Sequence, residues 1–422
     1  VRIELPRGTY VPVLRWAAPA GPPAAARTDE EAPSAADDWP TVVASVIDPV
    51  LPDPELRDAA LRFLDHLAVE LGRYGDVRVV LRREPLAVGA SPCGDARFCL
   101  TGYLSREAGT FCVITRLVDC RSRAQVWAEE YHATPPAVLE ERARLAAAAV
   151  ASEQGVVARR LWAEQRTRPR SATTPYAGIL ASYQFFFNRE PADLAPAIDS
   201  LKQVVAAEPE CSLAWVQLSR LYTANLAFEV SPLETPVEQA VVYAQNGVRL
   251  DPSSQRARCA LAGAFLVKGE LAAALSEARA ALELNPDSLV YLEWVGWLTT
   301  LAGDWDRGPQ IVRRALARNP HVIPVAHHAL WLDHLRRGEM EEAYLAALQY
   351  RDPTFYLRSM MRACSLGHLG RREEATADLT ELLAKKPDFR TRGRALVGRL
   401  VRSLDLLDRI ADGLEKAGLA LD

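Results

Sequence analysis

The chain opens on alternating apolar and polar residues over 1–14, broken by Pro6-Arg7-Gly8, the pattern of a short hairpin or extended arm. Over 16–39 the alternation gives way to Ala, Pro and acidic residues with no period and little to bury, which predicts a flexible linker. Order returns with a compact apolar run at 42–47, ended by Asp48-Pro49, the look of a buried strand. Over 54–71 Leu56, Ala60, Leu61, Leu64, Leu67, Ala68 and Leu71 fall on one helical face, closed by Gly72 and Gly75. A further run at 77–81 predicts a second buried strand. Three more runs, 98–105, 110–119 and 124–132, are separated by Glu107-Ala108-Gly109 and Cys120-Arg121-Ser122-Arg123, so they predict an antiparallel meander. A long helix rich in Ala and Arg follows over about 136–164. One sheet with helices packed on it is the economical arrangement.

From about Tyr176 onward the pattern is helical, and a proline punctuates it: Pro209, Pro252, Pro286, Pro320, Pro353 and Pro387, at intervals of 43, 34, 34, 33 and 34. Proline ends each unit because it cannot continue a helix. Small residues recur at fixed offsets between the prolines, as in Ala240, Ala244 and Gly247, then Ala274, Ala278 and Ala281, then Gly296, Gly308 and Ala315. Trp215, Leu218, Ser219 and Tyr222 resemble the W-x2-L-G-x2-Y opening of the tetratricopeptide (TPR) motif, with Ser for Gly. The resemblance implies a solenoid of about six helix-turn-helix units. The interval of 43 places an insertion of 9 residues at about 226–236, between the two helices of the second unit. A binding loop and a tolerated surface insertion both fit it.

A second resemblance rests on Leu100-Thr101-Gly102-Tyr103-Leu104, Thr115-Arg116-Leu117-Val118-Asp119 and Val126-Trp127-Ala128-Glu129-Glu130-Tyr131, with Gly413 to Leu419 at the end. These stretches resemble bacterial proteins that join a TolB amino-terminal-like α/β domain to TPRs. The fold class is therefore expected to be α+β: a small α/β domain with a mixed sheet, then an all-α TPR solenoid. The boundaries read as 1–40 for the arm and disordered linker, 41–166 for the TolB-like domain, 172–387 for the repeats and 388–422 for capping helices. In longer relatives a winged-helix type DNA-binding domain or a class III nucleotide cyclase domain lies upstream. Val1 in place of Met is read here as the start of a fragment or processed product.

Composition narrows the function classes. With 49% hydrophobic and 25% charged residues the chain is ordinary for a globular protein, and a net charge of -4 gives no overall pull toward nucleic acid. No stretch of about 18 apolar residues is present to span a bilayer. Seven cysteines include no CxxC pair; Cys93, Cys99, Cys112 and Cys120 are spaced by 6, 13 and 8, which predicts buried thiols and a cytoplasmic location. P-loop, dinucleotide, zincin and nucleophile-elbow motifs are absent, and Gly89 to Gly94 reads as a plain loop, so the chain is expected to be non-enzymatic and without a cofactor. His327, His328 and His334 crowd one stretch, but on a helix His327 and His334 lie about 10 Å apart, too far to share an ion, so no metal site is expected there.

In the TPR family the first helix of each unit lines the concave groove. Carried onto this frame, the groove receives Arg220, Arg256, Glu293, Trp297, His327, Trp331, His334 and Met360, and it centres on Trp297 and Trp331. Such a groove suits an apolar or amphipathic segment of a partner protein. From Lys385 to Arg409 eight basic residues face three acidic ones, and Leu396, Leu400, Leu404, Leu407 and Ile410 form a stripe, which reads as an amphipathic cap with a solvated basic face. The leading expectation is an interaction scaffold or regulator, with the α/β domain as a sensor or docking module and a homo-oligomer left open. Two alternatives stand beside it: the accessory half of a cyclase or DNA-binding regulator, and an envelope assembly factor.

Overall fold

A computed structural model describes residues 39–49, 53–83, 96–133, 138–165, 174–318 and 324–422. The expected arm and linker, the loop at Gly89 to Gly94 and Pro320 lie outside the described residues. The chain divides into two compact units, Val1–Ala151 with Gly155–Val157, and Ser152–Gln154 with Ala158–Asp422.

The first unit holds strands β1 (Thr41–Pro49), β2 (Arg78–Leu81), β3 (Phe98–Glu107), β4 (Thr110–Asp119) and β5 (Ala124–Ala133), with helices α1 (Pro54–Arg73) and α2 (Val138–Ala151). The sheet order is β2-β1-β3-β4-β5; β1 runs parallel to both neighbours, and the rest is the expected antiparallel meander. Helix α1 starts where Asp53 accepts the Glu55 backbone N–H at 2.9 Å and Pro54 occupies the first turn. Its stripe of Leu56, Phe63, Leu64, Leu67 and Leu71 is buried, each side chain contributing about 1.5–3 kcal/mol. The β3–β4 connection has only Ala108 and Gly109 between strands, both at positive φ (48° and 83°), the conformation a two-residue hairpin needs. Asp119, fully buried, accepts from Arg97 at 2.9 Å and from the Arg121 N–H at 3.1 Å, which fixes the next turn.

Three expectations need correction in this unit. Among the described residues strand β2 is an edge strand paired with β1 alone, and its Val80 and Leu81 are exposed rather than buried. Cys120 is disulfide-bonded and not a thiol, a pairing that depends on how the sheet folds and not on spacing; Cys99, Cys112, Cys211, Cys259 and Cys364 are free thiols. The single helix expected over 136–164 is two, α2 and α3 (Val156–Gln165), broken at 152–155. At the break Glu153, itself part of the helical unit, pairs with Arg220 at 2.6 Å.

The helical unit contains six antiparallel pairs: α4 (Pro175–Asn188) with α5 (Pro191–Ala207), α6 (Ser212–Phe228) with α7 (Val237–Leu250), α8 (Gln255–Lys268) with α9 (Leu271–Leu284), α10 (Leu292–Leu301) with α11 (Arg307–Arg318), α12 (Pro324–Arg337) with α13 (Met340–Gln349), and α14 (Tyr356–His368) with α15 (Arg372–Lys385). Helices α16 (Phe389–Val397) and α17 (Leu404–Ala417) follow. The periodic alanines, among them Ala240, Ala244, Ala274, Ala278, Ala343 and Ala375, are fully buried where paired helices meet. At Gly296 a Cβ would stand 2.9 Å from the Val312 backbone nitrogen, so the approach of α10 to α11 requires glycine. Gly269 ends α8 at φ 92°, with its N–H on the Leu266 and Phe265 carbonyls, a left-handed cap that L side chains resist.

The inserted stretch is the loop at 229–236. Buried Asn225 organises it, donating to the Leu233 carbonyl at 2.8 Å and to Thr235 Oγ1 at 3.2 Å while accepting from the Ser231 N–H at 2.9 Å. The basic tail docks onto this loop and onto helix ends. Lys386 donates to the Glu229 carbonyl at 2.7 Å, Arg392 to the Glu229 carboxylate at 2.5 Å, and Arg399 to both that carboxylate and the Leu226 carbonyl. Arg402 reaches the Val267 carbonyl at 2.5 Å, and Arg409 reaches the Leu335 carbonyl at 2.7 Å. Three arginines thus sit on the C-terminal carbonyls of α6, α8 and α12, where the helix dipole favours a cation. The expected solvated basic face is therefore a set of helix caps. Leu404 also departs from the expected stripe: at the first turn of α17 it is 68% exposed.

Candidate functional site

The first helices of the early repeats converge on a cavity within the helical unit. Each contributes residues three or four apart, the spacing that keeps side chains on one helical face. Helix α6 supplies Arg220, Thr223, Ala224, Ala227 and Phe228, and α8 supplies Arg256, Cys259, Ala260, Gly263, Leu266 and Val267. Phe186 of α4 and Arg189 at its C-cap, Trp294 and Trp297 of α10 and Tyr291 at its N-cap, and Val325 of α12 complete the wall, with Phe355 and Leu400 closing it. The space between these atoms is about 1050 Å³, part of it open to solvent, and about 110 Å³ admits the centre of a water molecule. The inner part is comparable with the ~150 Å³ apolar cavities that hold a benzene-sized guest.

Ion pairs and aromatic rings fix the arginines. Arg220 makes a two-pronged contact with Glu153, 2.6 and 3.2 Å, lies 4.5 Å over the Phe186 ring, and donates to Gln217 at 3.0 Å. Burial alone would lift the Glu153 carboxyl, but Arg220, supported by Arg256 and Arg189, draws it below the ordinary range. Arg256, 4% exposed, donates to the Tyr291 hydroxyl and to the Tyr183 hydroxyl at 2.9 Å, so one side chain ties the first, third and fourth repeats together. Arg189 pairs with Asp352 at 3.0 Å and lies 4.1 Å from the Phe355 ring centre. Cys259 is pushed up to about 12 by burial, which leaves an inert thiol in the wall.

Of the eight residues the repeat frame selected, the cavity wall takes Arg220, Arg256 and Trp297. Trp297 is 5% exposed and donates from its indole to His328 Nδ1 at 3.1 Å. Trp331 is fully buried and donates to Ser365 Oγ at 3.0 Å, so it packs between repeats instead of facing a groove. Met360 and Glu293 are likewise buried outside the wall. His334 is half-buried against Glu339 at 2.6 Å, and His327 is half-buried with its imidazole pushed down, first by burial and then by Arg351. The expected pair of exposed groove tryptophans is therefore corrected: Trp297 and Trp331 are both buried, and each bonds to a side chain of the following repeat. The frame missed Phe186, Arg189, Tyr291 and Trp294; the aromatic run Phe185-Phe186-Phe187 ending at Arg189 was the visible signal.

No family model matches this chain. A curated protein, the tetratricopeptide repeat and J domain-containing co-chaperone DNJ1 of Fusarium oxysporum f. sp. lycopersici, is 47% identical over 58 residues, 13% of this chain and 11% of that protein. The chain thus spans about a tenth of that relative. Among solved structures, human IFIT1 bound to PPP-AAAA aligns with a TM-score of 0.44 at 14% identity, covering 58% of this chain and 60% of that one. A tetratricopeptide repeat protein from Parabacteroides merdae aligns at 0.35 and 20% identity, covering 58% and 93%. YrrB, a TPR protein with an unusual peptide-binding site, aligns at 0.29 and 15% identity, covering 44% and 93%. Among the described residues no helix is long and apolar enough to cross a membrane. The six antiparallel pairs, their proline punctuation and their buried small residues make the helical unit a tetratricopeptide-type repeat array.

Proposed function

We propose that the chain is a protein-interaction scaffold whose helical unit receives an apolar side chain, presented by a partner's amphipathic segment, in the cavity walled by Phe186, Tyr291, Trp294 and Trp297. One observation carries this reading. A partly open cavity lined by six aromatic side chains and three anchored arginines is costly to keep wet, and rings and arginines are the side chains that dominate recognition energy. The wall is held by ion pairs and hydrogen bonds from several repeats, so it is largely pre-formed and ordering it costs a ligand little. The α/β unit, which resembles a TolB amino-terminal domain, serves in this reading as a docking or sensing module. Its support is a sheet on which α1 and α2 pack together, leaving Tyr103, Ile114 and Arg116 along the other face.

The test is to fill the cavity without removing any group that holds the array. A Cβ at Gly263 would meet Thr223 Cγ2 at 3.7 Å and Leu298 Cδ2 at 3.9 Å, ordinary contacts, so Gly263→Leu with Ala224→Phe should occupy the chamber. A displayed random-peptide library panned on the chain is expected to yield sequences with a large apolar anchor, and the filled variant to bind them at least about tenfold more weakly at unchanged thermal stability. Equal binding by both proteins, or recovery of no peptide by the unmodified chain, overturns the proposal.

A further inference from the structure

The register of β4 and β5 brings three metal-ligating side chains to one spot on the sheet. Cys112 lies directly across from His132, and Glu130 stands two residues before His132, on the same face of the strand. The Glu130 Oε1 atom is 3.1 Å from Cys112 Sγ and 3.1 Å from His132 Nε2, and one ligand atom from each residue lies within 4.8 Å of the others. We propose that Cys112, Glu130 and His132 form a binding site for a single borderline-soft divalent cation of the zinc class, with the fourth coordination position open.

The donor set selects the metal. One thiolate, one imidazole nitrogen and one carboxylate oxygen suit Zn²⁺ and disfavour Mg²⁺ or Ca²⁺, which require oxygen ligands. Bonds of about 2.0–2.3 Å in a tetrahedron put neighbouring ligand atoms roughly 3.3–3.7 Å apart, so the side-chain tips need only small shifts to close on an ion. The β4–β5 register runs unbroken from Phe111 opposite Ala133 to Leu117 opposite Trp127, and Arg142 of α2 donates to the His132 carbonyl at 3.0 Å, anchoring the end of β5 where the imidazole is carried. Without an ion the thiol donates its proton to Glu130. Binding exchanges one proton for the metal: the S–H bond breaks, the proton leaves to solvent, and a sulfur–metal bond forms. Half-buried Cys112 and exposed Glu130 and His132 leave one side of the ion accessible, the arrangement of a site that takes water or an external ligand and not of a closed structural centre.

Titration of the full chain with Co²⁺ tests the assignment, because a cobalt–thiolate bond gives a near-ultraviolet charge-transfer band that other ligands do not. One equivalent of Co²⁺ is expected to produce the band, and Zn²⁺ to remove it by competition. Cys112→Ser should abolish the band, while His132→Ala and Glu130→Gln each weaken binding at least about tenfold; Cys211→Ser, which alters a thiol in the other unit, should change nothing. Far-ultraviolet circular dichroism of every variant separates a lost ligand from a lost fold. Absence of the band up to millimolar cobalt, its survival in folded Cys112→Ser, or an affinity indifferent to both His132→Ala and Glu130→Gln overturns the proposal.

Discussion

His328 links the chemistry of one ring to the stability of the repeat array. The Trp297 indole can only donate, so His328 Nδ1 must accept, which places the ring proton on Nε2 and keeps the imidazole neutral. Burial has the same preference, pushing this histidine from its ordinary 6.5 down to about 4. The sign follows from proton uptake by the unfolded chain. Above 6.5 neither state is protonated and the contribution is intact; below it the unfolded chain gains a proton that the folded chain refuses, so stability falls until pH passes about 4. Between pH 7 and pH 5 this single group is expected to remove about 2 kcal/mol. His328→Gln retains an acceptor for Trp297 and abolishes the titration, so urea unfolding of that variant should lose correspondingly less stability over the same interval. An unchanged pH dependence would show that the ring is not held neutral.

At the scale of helices, close approach decides which residues are replaceable. Helices α14 and α17 cross at Gly367, where a Cβ would fall 1.9 Å from the Gly413 carbonyl oxygen and 2.8 Å from the Ala417 nitrogen. Those are backbone atoms and cannot rotate aside, so Gly367→Ala must push α17 off the array. A loss of about 3 kcal/mol or more in urea unfolding is expected, against the usual 1–3 kcal/mol for overpacking by one methyl group. Elements of this kind are legible in the sequence because their causes are local. The proline ladder and the alanine offsets depend on helix period, and six pairs follow from them; the positive φ of Ala108 and Gly109 follows from the turn sequence. Trp331 was illegible because its exposure is set by Ser365, one repeat further on. The same holds for Cys112 and His132, 20 residues apart, which only strand register makes neighbours.

Across the helical unit the question is whether repeats act independently. In an open solenoid each repeat touches only its neighbours, so a perturbation in the second unit should decay before it reaches the sixth. Here Glu229, in the loop of the second repeat, meets Arg392 and Arg399 from 163 and 170 residues away, and its carbonyl takes Lys386. Phe228 stacks on Phe355 at 4.7 Å between ring centres, and Arg189 of the first repeat pairs with Asp352. The insertion that interrupts the proline spacing is thus the landing for the C-terminal segment, and that segment carries Leu400 into the cavity wall. Closure of this kind couples the two ends of the array and keeps the chamber shut at one side. Glu229→Ala removes the shared carboxylate while leaving every helix its own hydrogen bonds. Charge-assisted bonds that are partly screened contribute about 1–2 kcal/mol here, so amide exchange should accelerate about tenfold in the last turn of α6 and, together with it, in α16. Nearest-neighbour behaviour predicts the opposite pattern, faster exchange in α6 and α7 with α16 unaffected, and that result would mean the ends of the array fold without regard to one another.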